Sequence, residues 1–436
     1  MADGAIGDDE SADHSPCLPI ILAVGHNERF EHDYSPDSDQ FPWPSMDRRP
    51  ARVLVGYARS VAQSSSVTVR LQRATAAGRA ASALVMAMAA TFGLDALLFR
   101  TPLYPSVIEP DSAAGQFELT LMREQRAQQE NGGNMVVTLG DSRMSYLPRL
   151  SNELTPETGY VFRNAGIPGS DLRTWYYMIR ELDPTRRRYR AIVIGVNDYD
   201  DEDTSDQPDD DLRSLHLCAV RLRLSDALDF AWSFHSALPR WTAFRGTLFK
   251  GVTLQQDVRA FLSNPRKRME YVRLCRRGWP EWTYNYVESD RSMVGLTIDW
   301  QKLTAVFPPG ADDNQWESVT RFLLRRPAPQ TGRLAALRRE WFGRIIDRYR
   351  GMGTRIVFVR LPRGPIPRPD WLARKTGSSI RQLAVRPDVM LDEEHAYESL
   401  ERPEFFKDGM HMNREGVKRF SAVLARDMAR LLGPPR

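Results

Sequence analysis

The chain has 436 residues, 42% of them apolar, with ten tryptophans, which is ample material for one large domain or two. The formal net charge is only +4, and the arginines beyond the N-terminal region are scattered among acids with no nucleic-acid-binding motif, so nucleic acid is excluded as the expected partner. The three cysteines, Cys17, Cys218 and Cys275, fall in no spacing that binds zinc, and no metal or other cofactor is expected.

Charge is unevenly distributed at the start. Residues 1–47 hold eleven Asp/Glu and one Arg, in a context of Ser and Pro, and read as a solvated, disordered tail. Residues 48–79 hold seven Arg and no acid. Ala80–Phe99 follows as a twenty-residue apolar run broken only by Asp95, about the length that crosses a bilayer. Asp95 lies near its end, where a carboxylate reaches the interface at lower cost. The arginines before the run place the N-terminus, residues 1–79, in the cytoplasm and everything after it on the extracytoplasmic side. The competing reading of the run is a buried soluble helix. A cleaved signal peptide is disfavoured, because about eighty residues precede it.

Residues 101–436 then read as one α/β unit. A polar helix is expected over Gln116–Gln129. Met135–Leu139 is an apolar, β-branched run that stops at Gly140-Asp141-Ser142, the pattern of a buried strand ending in a tight turn. A helix should follow Ser142. Tyr160–Arg163 reads as a second strand, running into the glycine-bearing loop Asn164-Ala165-Gly166-Ile167-Pro168-Gly169-Ser170. Asp171–Leu182 has helical character with Asp171 as N-cap. Ala191–Val196 is a third strand, ending in Asn197-Asp198. Three strands thus deliver small or polar residues at their C-terminal ends, the edge of a parallel sheet where sites assemble.

The Asp-dense stretch Asp198–Asp211 matches no calcium loop and reads as solvated. Residues 212–330 read as an insert within this unit; they carry no recognisable motif but are rich in Trp, Tyr and Arg, including Trp279, Trp282 and Tyr284. Such aromatics stack on sugar rings or pack an ordinary core and lid, and both readings stand. Leu334, Leu337, Trp341, Ile345 and Tyr349 recur at helical spacing up to Gly351. Arg355–Leu361 is a fourth strand and Val389–Leu391 a short fifth. Asp408-Gly409-Met410-His411 places an Asp three residues before a His, so one turn can supply a base and the group that orients it. Asn413 can cap a final helix that carries Val417, Phe420, Leu424, Met428 and Leu431 on one side.

On the blocks Gly140-Asp141-Ser142, Gly169 in its loop, Gly195-Val196-Asn197-Asp198 and Asp408–His411, in that order, the sequence resembles the SGNH (GDSL-like) hydrolase superfamily. The resemblance implies a three-layer α/β/α sandwich with a mostly parallel, flavodoxin-like sheet, here preceded by one transmembrane helix. It implies Ser142 as nucleophile, His411 as general base and Asp408 as its orienter, with Ser142 N–H, Gly169 N–H and the Asn197 side chain forming the oxyanion hole. Arg143 stands where the family usually has a small or apolar residue, and Gly-Asp-Ser-Arg is closer to the branch found in cell-surface polysaccharide systems. Arg143 is expected either to bind an anionic substrate group or to form a surface ion pair. The implied function is serine esterase or O-acetyltransferase chemistry on an acylated carbohydrate, with envelope polysaccharide assembly proteins as partners. The rival reading is a non-catalytic scaffold or glycan-binding subunit. Cys218 and Cys275 would share one side of the membrane, as a disulfide or as two free thiols.

Overall fold

A computed structural model describes residues 62–127, 134–145, 151–203, 209–277, 289–326 and 328–435, with side chains from residue 79 onward. The tail expected over residues 1–79 lies largely outside the described residues. The chain divides into two units, Met1–Arg73 and Ala74–Arg436. Of the first, only the helical residues from Ala62 are described.

Helix α1 runs over Ala62–Phe99. Within Arg79–Ser106 it has a mean hydropathy of 1.8 and little burial, so this one helix is long and apolar enough to cross a membrane. One face of its last two turns packs on the protein, while Leu94, Leu97 and Leu98 stay exposed on the other. Asp95 is buried, and its carboxylate accepts from the backbone N–H of Lys250 at 3.1 Å and of Gly251 at 2.7 Å. Phe92 meets Phe249 edge to face at 5.9 Å, and Arg100 donates to the Thr247 and Leu248 carbonyls. The expectation that Asp95 reaches toward an interface is therefore corrected: it caps a short helix, Lys250–Thr253, inside the protein.

The sheet is built from β1 (Met135–Leu139), β2 (Val161–Asn164), β3 (Ala191–Val196), β6 (Arg355–Arg360) and β7 (Val389–Leu391), all parallel, in the order β2-β1-β3-β6-β7. Between β3 and β6 lies an antiparallel hairpin of β4 (Thr297–Asp299) and β5 (Thr304–Val306). The order reverses between β1 and β3, so a crevice opens at their C-terminal ends. The central strands β1 and β3 read as near-continuous apolar runs because both faces are covered. On one face Val137, Leu139, Ile192, Ile194, Ile356 and Phe358 pack in a cluster with α2 (Ala113–Ala127), α3 (Leu172–Leu182) and α4 (Arg333–Tyr349). On the other, Val136, Val193, Val357 and Val359 meet α5 (Arg414–Leu432), through Val417, Phe420, Leu424 and Met428. The fold is α/β, a mostly parallel five-stranded sheet flanked by helices.

Caps follow the sequence. Asp171 accepts from Thr174 N–H at 3.0 Å to start α3, and Asn413 accepts from Gly416 N–H at 3.0 Å to start α5. Two expectations are corrected. Helix α2 is not a polar surface helix: Phe117 and Leu121 are fully buried, and its acids Glu118 and Glu124 are buried and paired with Arg221 and with Arg123 and Arg163. Nor is the Asp-dense stretch solvated where it is described. Asp201, Asp203 and Asp209 are buried. Asp203 accepts from Thr331, Gly332 and Leu334 N–H groups at the start of α4, and Asp201 and Asp209 pair with Arg338 and Arg333. Cys218 and Cys275 are both buried free thiols.

Candidate active site

Strand β1 ends at Leu139, and the chain turns at once through Gly140-Asp141-Ser142. Met144 N–H closes the turn on the Asp141 carbonyl at 3.0 Å, and the Ser145 hydroxyl donates to the Ser142 carbonyl at 2.8 Å. The fully buried Met144 side chain fills the space beneath. A Cβ on Gly140 would fall 2.4 Å from Met144 Cγ, and one on Gly195 of β3 only 2.7 Å from the same atom. Two strand-end glycines thus let the turn sit tight on the sheet edge. The helix expected after Ser142 falls on residues 146–150, outside the described residues.

The second block arrives from the other end of the chain. Phe406 and Met412 form an antiparallel bridge, and Asp408–His411 is the turn they enclose. Asp408 Oδ1 accepts from the N–H groups of Met410 at 2.8 Å and His411 at 2.7 Å, which fixes the loop. Gly409 N–H donates to Ser318 Oγ at 2.8 Å, and a Cβ there would fall 2.7 Å from Val319 N, so no side chain fits. In this frame His411 Nε2 lies 2.7 Å from Ser142 Oγ, and Nδ1 lies 2.9 Å from Asp408 Oδ2. With Asp408 accepting at Nδ1–H, Nε2 is the unprotonated nitrogen facing the hydroxyl. Burial alone would raise the Asp408 carboxyl. The His411 ring and the two backbone N–H groups outweigh it and hold the carboxyl below the usual carboxylate range.

The remaining blocks stand at the ends of β2 and β3. The loop with Gly169 is tied to the nucleophile turn: Ile167 N–H and Ser170 Oγ both donate to the Gly140 carbonyl at 3.0 Å, and Trp175 Nε1 donates to Ser170 Oγ at 2.8 Å. Gly169 has φ +66° and is exposed, with Arg213 beside it. Asn197 is exposed at the end of β3. Arg143, which is buried, donates to the Asn197 side-chain carbonyl oxygen and grips Asp141 with Nη2 at 2.6 Å and Nε at 3.1 Å. A guanidinium can only donate, so the amide oxygen of Asn197 must face it, which leaves the Nδ2 donors uncommitted to Arg143. Burial pushes the Asp141 carboxyl up; the charge and hydrogen bonds of Arg143 more than offset this and leave it below the usual range.

Arg143 is thus neither at the surface nor turned toward a ligand. It joins Asp141 to Asn197, an arrangement that Gly-Asp-Ser-Arg spacing alone did not reveal. Trp279, Trp282 and Tyr284 lie outside the described residues. Asp198 accepts from Asp200 N–H at 3.0 Å and organises its loop. Asp198, Asp200 and Glu394 bring three carboxylates together, the one grouping among the described residues that could gather a cation. Lys375 already sits 3.2 Å from Asp200 and Arg381 pairs with Glu394, so cationic side chains occupy that position. Ser318 and Met144, which hold the two site turns in place, carry no signal in the sequence beyond being small and apolar respectively. Compared with known proteins, the chain matches no family model and no curated protein.

Proposed function

We propose that the protein is a serine acyl-hydrolase or O-acyltransferase that works through an acyl-Ser142 intermediate. One observation carries the reading: a serine hydroxyl on a tight strand-end turn lies 2.7 Å from a histidine nitrogen whose other nitrogen is held by a carboxylate. Ser142 Oγ attacks the ester carbonyl carbon while its proton passes to His411 Nε2. The carbonyl oxygen takes the negative charge, met by Asn197 Nδ2 and the N–H groups of Ser142 and Gly169. The C–O bond to the alcohol then breaks, and His411 gives its proton to the departing oxygen. Water or a sugar hydroxyl repeats the sequence in reverse and frees Ser142. Asp408 keeps its charge throughout and stabilises the imidazolium.

The substrate in this reading is an O-acetyl ester on a cell-surface polysaccharide. The support is the SGNH-like order of the four blocks, the Arg after the nucleophile and the apolar helix, which with seven preceding arginines would place the domain outside the cytoplasm. Envelope polysaccharide assembly proteins are the partners it implies. The test is labelling of the full-length protein with a serine-reactive fluorophosphonate. Labelling of Ser142, lost in Ser142→Ala and His411→Ala, is expected. No labelling of the folded protein would leave the non-catalytic, glycan-binding reading in its place.

A further inference from the structure

His411 has to deliver a proton to the departing alcohol, so the chemistry divides the crevice. The alcohol half of an ester belongs on the His411 side of Ser142, and the acyl half on the side of Asn197 and Gly169. On the His411 side lies a cavity of about 340 Å³ whose wall includes His411 and Asp408. That size falls at the small end of small-molecule sites, roughly 300–1,000 Å³. It is formed where residues 289–322, the C-terminal part of the long insert, pack against the turn that carries His411. Gln315 fastens the two together by donating to the Lys407 carbonyl at 2.8 Å.

The charges in this wall cancel. Arg291, Arg321 and Lys407 face Asp312, Glu317 and Asp408. Arg291 is paired with Asp312, and Asp408 is engaged by His411. Burial lowers Lys407 to about 8 although Asp408 beside it works the other way, so the ammonium remains largely charged at neutral pH. Ser289 and Asn314 add neutral hydrogen-bonding groups, and the half-buried Phe322 offers an apolar ring with Arg321 over it at 5.5 Å. Donors and acceptors in equal supply around one ring suit a polyhydroxylated ring without charge. A ligand carboxylate would meet Glu317, Asp312 and Asp408 with no surplus cation to balance them.

Resting on the acyl-transfer reading, we infer that this cavity is the alcohol subsite and that it takes an uncharged glycosyl residue in preference to a uronic acid. Glu317 and Arg321 set that preference, and Phe322 is the platform. The experiment measures binding, so it is independent of turnover. Methyl glucoside and methyl glucuronide are titrated by saturation-transfer NMR into the full-length protein in detergent. The Ser142→Ala variant is titrated in the same way. The glucoside should bind about tenfold more tightly than the glucuronide. Glu317→Gln, which leaves the wall with a surplus cation, should move that ratio toward the glucuronide, and Arg321→Gln should move it the other way. Phe322→Ala should weaken both sugars, and the exposed Val385→Ala should change nothing. Ratios taken within one variant cancel any partial loss of folded protein. A glucuronide bound as well as the glucoside, or a ratio that does not move in opposite directions in the two charge variants, overturns the assignment. Failure of fluorophosphonate labelling would overturn only the acyl-serine chemistry, because the sugar affinities are read without it.

Discussion

Replacing Arg143 by Met tests whether the buried guanidinium positions the oxyanion hole. Met keeps much of the side-chain volume but removes every donor. The structure then loses the bond to the Asn197 carbonyl oxygen and both contacts to Asp141. Asn197 itself remains, free to rotate at an exposed strand end. Holding one such side chain is worth about 0.5–1.5 kcal/mol, so kcat on a small aryl acetate should fall roughly two- to twelvefold. Asn197→Ala removes the donor outright and should cost about 10²- to 10³-fold. Because Arg143 acts through Asn197, the double variant should be no slower than Asn197→Ala alone. Fluorophosphonate labelling rates should follow the same pattern. Losses that multiply in the double variant would show Arg143 to act on its own, as a direct substrate contact would. An unchanged rate in Arg143→Met would end the positioning argument.

The same substitution has a signature in stability. In the wild type the Asp141 carboxyl lies below its usual value, so its pairing is fully present above about pH 4 and is lost only as pH falls through the lowered value. In Arg143→Met the backbone N–H of residue 143 and His411 still favour the charged carboxyl, but the guanidinium that chiefly offset burial is gone, so the carboxyl rises from its wild-type value. The variant is then penalised most where Asp141 is charged. Breaking a buried pair costs about 3–5 kcal/mol, and the quarter exposure of the Asp141 side chain places the loss at the lower end or below it. The gap in Tm between wild type and variant should therefore be widest near pH 7 and narrow toward pH 4. A gap constant across that range would mean that Asp141 does not depend on Arg143.

Three further expectations follow from named contacts. Ser142→Ala and His411→Ala should each nearly abolish aryl acetate turnover, and the double variant should be no worse than either, with Asp408→Asn losing less; multiplicative losses would contradict a shared catalytic unit. Asp95→Ala leaves the N–H groups of Lys250 and Gly251 without an acceptor and should lower stability by about 1–3 kcal/mol in thermal unfolding, with Asp95→Asn losing less; an unchanged Tm would refute the cap. Lys250 is buried with its ammonium on the Val220 carbonyl, and burial lowers it to about 7. Its unfolded form binds more protons between about pH 7 and 10, so wild-type stability should gain from this residue as pH rises from 7 to 9. Lys250→Met should lack that gain, and equal pH slopes in the two proteins would refute it.

The five strands of the parallel sheet were legible almost residue for residue, whereas the β4–β5 hairpin was not. β1 and β3 fall where their apolar runs begin and end, because a strand buried on both faces has little reason to include a charged residue until it reaches the sheet edge. The caps Asp171 and Asn413 were legible for the same local reason, since an N-cap bonds within three residues of itself. The misreadings share one physical cause. Asp95, Glu118, Glu124, Asp201 and Asp203 look like solvent-facing acids, yet each is buried against partners up to about 160 positions away. Burying a charge is costly unless it is paired. A sequence shows the charge, but the fold alone supplies the partner.

The same cause governs what the site blocks revealed and what they hid. Ser142, Asp408 and His411 announce themselves because their chemistry demands particular residue types at particular turns. Arg143 is a charge whose purpose depends on its neighbours, and on its own an arginine beside a nucleophile suggests an anionic ligand. Placed between Asp141 and Asn197, its Nε and Nη2 donors are committed to the protein, and its charge is already paired with Asp141. The wall beyond His411 then has no surplus positive charge either. The two observations concern opposite sides of Ser142 and rest on different residues. Both remove the electrostatic reason to expect an anionic substrate, and they leave shape and hydroxyl pairing to decide which ester is accepted.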